Sequence, residues 1–117
     1  MTERNLAERL FKFAVDVILA VRTLPRSAEF KVITYQLVKS SSSSGVNYEE
    51  AQAAVSVLDF SNKVAISLKE MRESNFWIRL LIKTCPNPTP WEALEKESVE
   101  LKKILGSIYT KTSKKRS

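Results

Sequence analysis

The sequence predicts an all-α protein, an up-down-up-down four-helix bundle. Apolar residues recur at three- and four-residue steps along four long segments. Proline and turn residues separate those segments, and no stretch alternates apolar with polar residues as a half-buried strand does. Connections this short make consecutive helices antiparallel neighbours. The chain holds only two glycines in 117 residues, which suits a sequence that is helical nearly throughout.

The first segment places Leu6, Leu10, Phe13, Ala14, Val17, Val21 and Leu24 on one stripe, and Pro25 stops it by pushing the residue before it out of the helical region. A first helix over about 2–23 follows. Ser27 is a suitable N-cap for a second, which shows Phe30, Ile33 and Leu37 on one face. That segment then runs into Ser40-Ser41-Ser42-Ser43-Ser44-Gly45. Two readings are open. The run is a flexible linker, because serine hydroxyls compete with the helix backbone and glycine adds conformational freedom. Otherwise it is a helix whose stripe switches to small residues and lets another backbone come close.

Ser56 and Asp59 form a capping box with Asp in the usual place of Glu. Val57, Ser61, Val64, Leu68, Met71, Asn75, Ile78 and Ile82 then repeat at alternating steps of four and three, the most regular pattern in the chain. Phe60, Ala65, Phe76, Trp77 and Leu81 add apolar surface off that stripe. This helix must bury more than one face; the excess points to contact with another subunit, and its plain alternative is core packing, the commoner use of an aromatic stripe. Cys85-Pro86-Asn87-Pro88 is a turn. Thr89, Pro90 and Glu92 then combine an N-cap, a proline at the first helical position and an acid at the third. Trp91, Leu94, Ser98, Leu101, Leu105 and Ile108 continue the helical spacing to about residue 110. The bundle is expected over 1–110, followed by a basic tail over 111–117.

The composition, 44% apolar and 27% charged, is that of a globular chain long enough to bury a core without disulfide or metal. It contains no His and one Cys, Cys85. Protein-only zinc sites, Ser-His or Cys-His nucleophilic machinery and an internal disulfide all lack their parts. Ser44-Gly45 is not followed by Lys-Ser or Lys-Thr, so the P-loop pattern is missing. Glu49-Glu50 and the acids of the fourth segment lack the His partners that a di-metal bundle uses. Cys85 has only Lys83 as a basic neighbour in sequence, too little to activate a thiol. The chain reads as non-enzymatic, with neither cofactor nor metal. Asp16 splits the apolar runs near the N-terminus, and none is long enough to span a bilayer. A cytoplasmic protein with Cys85 reduced is expected, with no membrane partner.

The net charge is +6, from 19 Lys and Arg against 13 Asp and Glu. Lys111, Lys114, Lys115 and Arg116 lie in a terminus without acids, so residues 1–110 hold 15 basic against 13 acidic residues, +2. Together with Lys102 and Lys103 they form a basic C-terminal zone. That zone is a candidate nucleic-acid contact, and its plain alternative is a solvated, frayed end. A second set, Lys63, Lys69, Arg72, Arg79 and Lys83, lies along the third helix, where Glu70 and Glu73 dilute its field.

Between Leu24 and Leu81 several short elements occur in order. They are Leu24-Pro25, Gln36-Leu37, the serines leading into Gly45-Val46-Asn47-Tyr48-Glu49-Glu50-Ala51, then Asp59-Phe60, Lys63, Lys69-Glu70, Arg72-Glu73 and Trp77. In this joint pattern the chain resembles the four-helix-bundle family of 23S rRNA intervening-sequence proteins. That family shows a Gln-Leu-Leu-Arg element, an Asn-Tyr-Arg-Glu-Ala run, an Asp-Phe pair and a Glu-x-x-x-Trp spacing.

The resemblance implies a bacterial, non-catalytic bundle that assembles into a homo-oligomeric ring, commonly a pentamer, and binds RNA or other nucleic acid. A reverse transcriptase is an implied partner of relatives that serve retroelements. The serine run is implied to be helical, with Gly45 at a tight helix contact. The structural motif carried over comprises Gln36, Asn47, Tyr48, Glu50, Asp59, Phe60, Glu73 and Trp77, with Asn47 and Glu50 in a buried polar network near the end of the second helix. Lys39 joins the candidate nucleic-acid contacts, although it stands where the family has Arg and lacks the planar fork. Glu49 also stands where the family has Arg, which reverses a charge. The alternative to nucleic-acid binding is a protein-interaction scaffold, favoured by the near-neutral body and the surplus apolar face of the third helix.

Overall fold

The structure, a computed structural model, describes the backbone of residues 3–116 and the side chains of residues 5–114. Each periodic segment is a helix: α1 spans Glu3–Val21, α2 Ala28–Gln52, α3 Val57–Thr84 and α4 Thr89–Arg116. α1 packs on α2, α2 on α3, α3 on α4 and α4 back on α1. The diagonal pairs stay apart among the described residues. A helix of 28 residues is about 42 Å long, which accounts for a body 47 Å along its axis and 24 by 21 Å across.

The caps follow the sequence closely. Ser27 Oγ accepts from the Phe30 N–H at 3.3 Å, and Ser56 Oγ accepts from the Asp59 N–H at 3.0 Å. Asp59 answers by accepting from the Val55 N–H at 3.3 Å. At the start of α4 the cap lies one residue earlier than the spacing implies. The Pro88 carbonyl accepts from the Trp91 and Glu92 N–H groups, and Asn87 Oδ1 accepts from the Thr89 N–H at 3.3 Å. α4 also runs on to Arg116, so the basic residues expected beyond residue 110 sit on its last turns. Thr110 and Thr112 satisfy their hydroxyls on the Gly106 and Ile108 carbonyls, which lets them stay helical.

The serine run is helix, and the linker reading fails for a tertiary reason. Ser44 Oγ donates to the Ser67 carbonyl at 2.9 Å, and Ser67 Oγ donates to the Ser44 carbonyl at 2.7 Å. Ser40 and Ser74 hydroxyls meet at 2.8 Å, and Ser74 donates on to the Glu70 carbonyl. Ser41 returns its hydroxyl to the Val38 carbonyl. A side chain two bonds long reaches the opposite backbone only if the helices lie at the short end of the usual interaxial distance, about 8 Å. The hydroxyls are satisfied either across the contact or on carbonyls of the preceding turn of their own helix, a bond compatible with helical backbone, so the intrinsic penalty of serine is overridden.

The apolar stripes form one core. Leu6, Leu10, Phe13 and Val17 of α1 meet Leu37 and Tyr48 of α2, Val64, Met71 and Ile78 of α3, and Trp91, Leu101 and Leu105 of α4, all fully buried. Val57, placed on the α3 stripe by its spacing, is exposed at the helix start. Gly45 does meet α1, but an added methyl would lie 3.7 Å from Leu10 Cβ, an ordinary contact. The α1–α2 approach therefore leaves room that the α2–α3 approach does not.

Candidate nucleic-acid interface

The basic zone of α4 is shaped by what α1 removes from it. Arg9 reaches the Glu97 carboxylate at 2.6 and 2.9 Å through Nη2 and Nε, and Glu100 at 3.0 Å through Nη1. The Glu97 hydrogen bonds, more than the Glu100 contact, raise the Arg9 pKa above its ordinary value. Two acids of α4 are thus neutralised on the α1 side. Lys103, Lys111 and Lys114 are exposed and Lys102 is half-buried. The Lys115 and Arg116 side chains lie outside the described residues. Lys39 is exposed on α2, beside Tyr35 and Val38 in a shallow cleft. Because α2 is diagonal to α4, Lys39 does not join the C-terminal zone.

The motif residues divide. Asn47 bonds within its own helix, donating to the Ser43 carbonyl at 2.9 Å and to Ser43 Oγ at 3.1 Å. Glu50 is exposed and pairs with Lys63 of α3 at 3.2 Å. The buried Asn47–Glu50 network expected from the resemblance is therefore replaced by two separate contacts. They are a half-buried intrahelical bond and a surface ion pair, because Glu50 lies one helical step beyond the buried face. Tyr48 is fully buried and Phe60 packs against the core. Asp59 caps α3 as described, and Gln36 is half-buried on α2. Trp77 Nε1 donates to Glu73 at 3.2 Å, which accounts for the four-residue spacing of that pair.

Helical spacing sets Lys69, Arg72, Arg79 and Lys83 as neighbouring pairs on a shared face diluted by Glu70 and Glu73, and the structure shows where that face lies. Lys63, Glu70 and Trp77 recur at seven-residue steps, and the Lys63–Glu50 pair shows that this row faces α2. Asn75 faces α4, where its Nδ2 donates to Ser98 Oγ at 2.8 Å. Lys69, Arg72, Phe76, Arg79 and Lys83 recur at steps of three and four on the α4 side of the outer face, and all five are exposed. Glu70 lies on the other edge, and Glu73, which borders the row one turn from Lys69, is occupied by Trp77. The signal was present in the sequence as an aromatic residue interleaved with basic ones at helical spacing. Lys102, one turn beyond Ser98 on antiparallel α4, lies level with Arg72 and extends the basic face across both helices.

Among the described residues no three His, Cys, Asp or Glu side chains come together to hold a metal, and no helix is long and apolar enough to cross a membrane. The model of the 23S rRNA-intervening sequence protein family matches residues 3–107, nearly the whole chain. The chain belongs to that family. A crystal structure of a protein of unknown function from the S23 ribosomal protein family of Bacteroides thetaiotaomicron has a TM-score of 0.80 and 33% identity to it, over 89% of this chain and 97% of the other. No curated protein matches. Membership of the intervening-sequence family was legible between Leu24 and Leu81, and the four-helix fold in the apolar spacing of the whole chain. The match extends the likeness to α1 and most of α4, where no short motif announced it.

Proposed function

We propose that this intervening-sequence family protein is a self-associating helical bundle that binds RNA through the basic residues of α4. One observation carries the reading, the division of its surface. Phe11, Val15 and Leu19 of α1 and Val32, Tyr35 and Val46 of α2 are exposed, Phe11 and Tyr35 to 65% each. Val55, Val57, Leu58, Ile66, Phe76 and Leu80, on α3 and the turn before it, are exposed as well, whereas among the described residues α4 exposes no large apolar side chain. The group on adjacent α1 and α2 is taken as the association face. The basic residues Lys102, Lys103, Lys111 and Lys114 lie on α4, away from that face. A cyclic homo-oligomer, with five copies as the expected number, would bury the apolar face and repeat the basic one, multiplying weak phosphate contacts.

Two measurements test the reading. Light scattering should give a multiple of the 13.3 kDa chain mass, and Leu19→Glu with Tyr35→Glu should give a monomer of unchanged helicity. Binding to a structured RNA should weaken steeply with salt, and Lys103→Gln with Lys111→Gln should lower the salt slope by about 1.4 to 1.8 for two lost phosphate contacts. Salt-independent or absent binding by an intact oligomer would leave the protein-scaffold reading, in which the apolar face serves another protein.

A further inference from the structure

We propose that the outer face of α3 from Lys69 to Lys83 is a site for single-stranded nucleic acid, in which bases stack on Phe76 and phosphates are held by Lys69, Arg72, Arg79 and Lys83. The proposal rests on the reading of the protein as a nucleic-acid binder, and it names a second surface and a preferred form of ligand.

The argument begins with Phe76. The residue is 49% exposed on the middle of a helix that has ample core of its own. It is also held in place. Trp77 meets it edge to face at 5.2 Å with an interplanar angle of 78°, and the Arg79 guanidinium lies 5.8 Å from its centroid. Arg79 is itself oriented, because its Nε donates to Asn75 Oδ1 at 2.9 Å and Asn75 is anchored on Ser98. That bond uses one of five guanidinium donors and leaves the Nη groups without a protein acceptor among the described residues. An ordered ring beside an ordered cation loses little freedom on binding a planar base, which is the composition of sequence-tolerant single-strand platforms.

Charge supplies the rest. Lys69, Arg72 and Lys83 make no ion pair among the described residues; Glu70 sits on the α2 edge, and Glu73, one turn from Lys69, has its carboxylate engaged by Trp77 Nε1 at 3.2 Å. From Lys69 to Lys83 the row is about 21 Å long, room for about four nucleotides, the lower end of single-strand sites. A groove of about 440 Å³ beside it is lined by Phe76, Arg79, Leu80, Ile82, Lys83 and Glu95. Its apolar floor suits a base and not a duplex, whose bases are stacked on each other. Glu95 is the one acid in that groove and opposes an anionic ligand.

The test uses the full-length chain, a fluorescent eight-nucleotide oligouridylate and an RNA duplex, with anisotropy read across a salt series. Phe76→Ala should weaken oligouridylate binding by roughly 5- to 100-fold, the usual effect of losing one stacking aromatic. Duplex binding should stay within about two-fold under that change. Phe76→Trp should keep single-strand affinity, and Glu95→Gln should raise it. Arg72→Gln with Lys83→Gln should lower the single-strand salt slope by about 1.4. Circular dichroism checks that each variant is folded. Wild-type affinity in folded Phe76→Ala, or loss of single-strand binding only on neutralising Lys103 and Lys111, overturns this site and leaves the α4 reading standing. A wild-type chain that binds neither RNA at low salt overturns both.

Discussion

Between α2 and α3 the contact is made by serines whose hydroxyls bond to the opposite backbone. Between α1 and α4 the helices flank a groove of about 640 Å³ lined by Phe13, Leu19, Ala20, Pro90 and Leu94, closed at its edge by Arg9 on Glu97 and Glu100. The first seam is close, buried and directional. The second is wide and latched near the surface, where ion pairs contribute little. The difference separates a rigid half from an adaptable one. α2 and α3 form a fixed platform for the basic row on α3. α1 is held mainly by apolar packing and carries the exposed residues Phe11, Val15 and Leu19 that a second copy could cover.

The largest expected effect is on the close seam. Ser44→Leu removes the hydroxyl that bonds to the Ser67 carbonyl and hydroxyl, and inserts a branched side chain where a hydroxyl already touches backbone. Overpacking and a broken buried pair each cost about 1–3 kcal/mol, so the melting temperature should fall on the order of 10 °C. Thermal denaturation followed by circular dichroism reads it. A variant as stable as the parent would mean that α2 and α3 are not in close contact there, and the comparison would lose its first half.

Gly45→Ala probes the neighbouring α1–α2 approach and should act in the opposite direction. Glycine inside a helix costs about 1 kcal/mol relative to alanine, and the added methyl meets Leu10 at an ordinary distance. The substitution should raise stability by up to about 1 kcal/mol, read as a shifted urea midpoint with unchanged slope. Destabilisation would show that this contact is as tight as the serine seam. The small residues from Ser40 to Gly45 would then do one job on both sides of α2.

These two positions also show where sequence reading stops. Periodicity located all four helices, because apolar spacing reports which face is buried, and Ser27, Ser56 and Pro25 mark ends through local chemistry. The serine run was ambiguous because Ser44 and Ser40 find their partners in Ser67 and Ser74, residues over twenty positions away, and no local preference encodes a partner that distant. The end of α4 was placed early because apolar steps end near Ile108, whereas helicity continues through residues that only need to avoid breaking it. The basic set on α3 was legible from helical spacing, but not which partners its neighbouring acids take. Glu70 turns to the α2 edge, and Glu73, one turn from Lys69, is taken up by Trp77.

The smallest effect should come from the latch on the wide seam. Arg9→Met keeps most of the aliphatic stem while removing the fork that joins α1 to Glu97 and Glu100. Arg9 and Glu97 are partly exposed and Glu100 is 60% exposed, so solvent screens the pair and its loss should cost no more than about 1 kcal/mol. The cost should shrink further in high salt, because screening weakens the parent and not the variant. Hydrogen exchange localises the change: amides of α1 should exchange faster in Arg9→Met, with those of α2 and α3 unaltered. Equal acceleration in all four helices would mean that α1 opens only with the whole bundle, and the adaptable half would not exist as a separate unit.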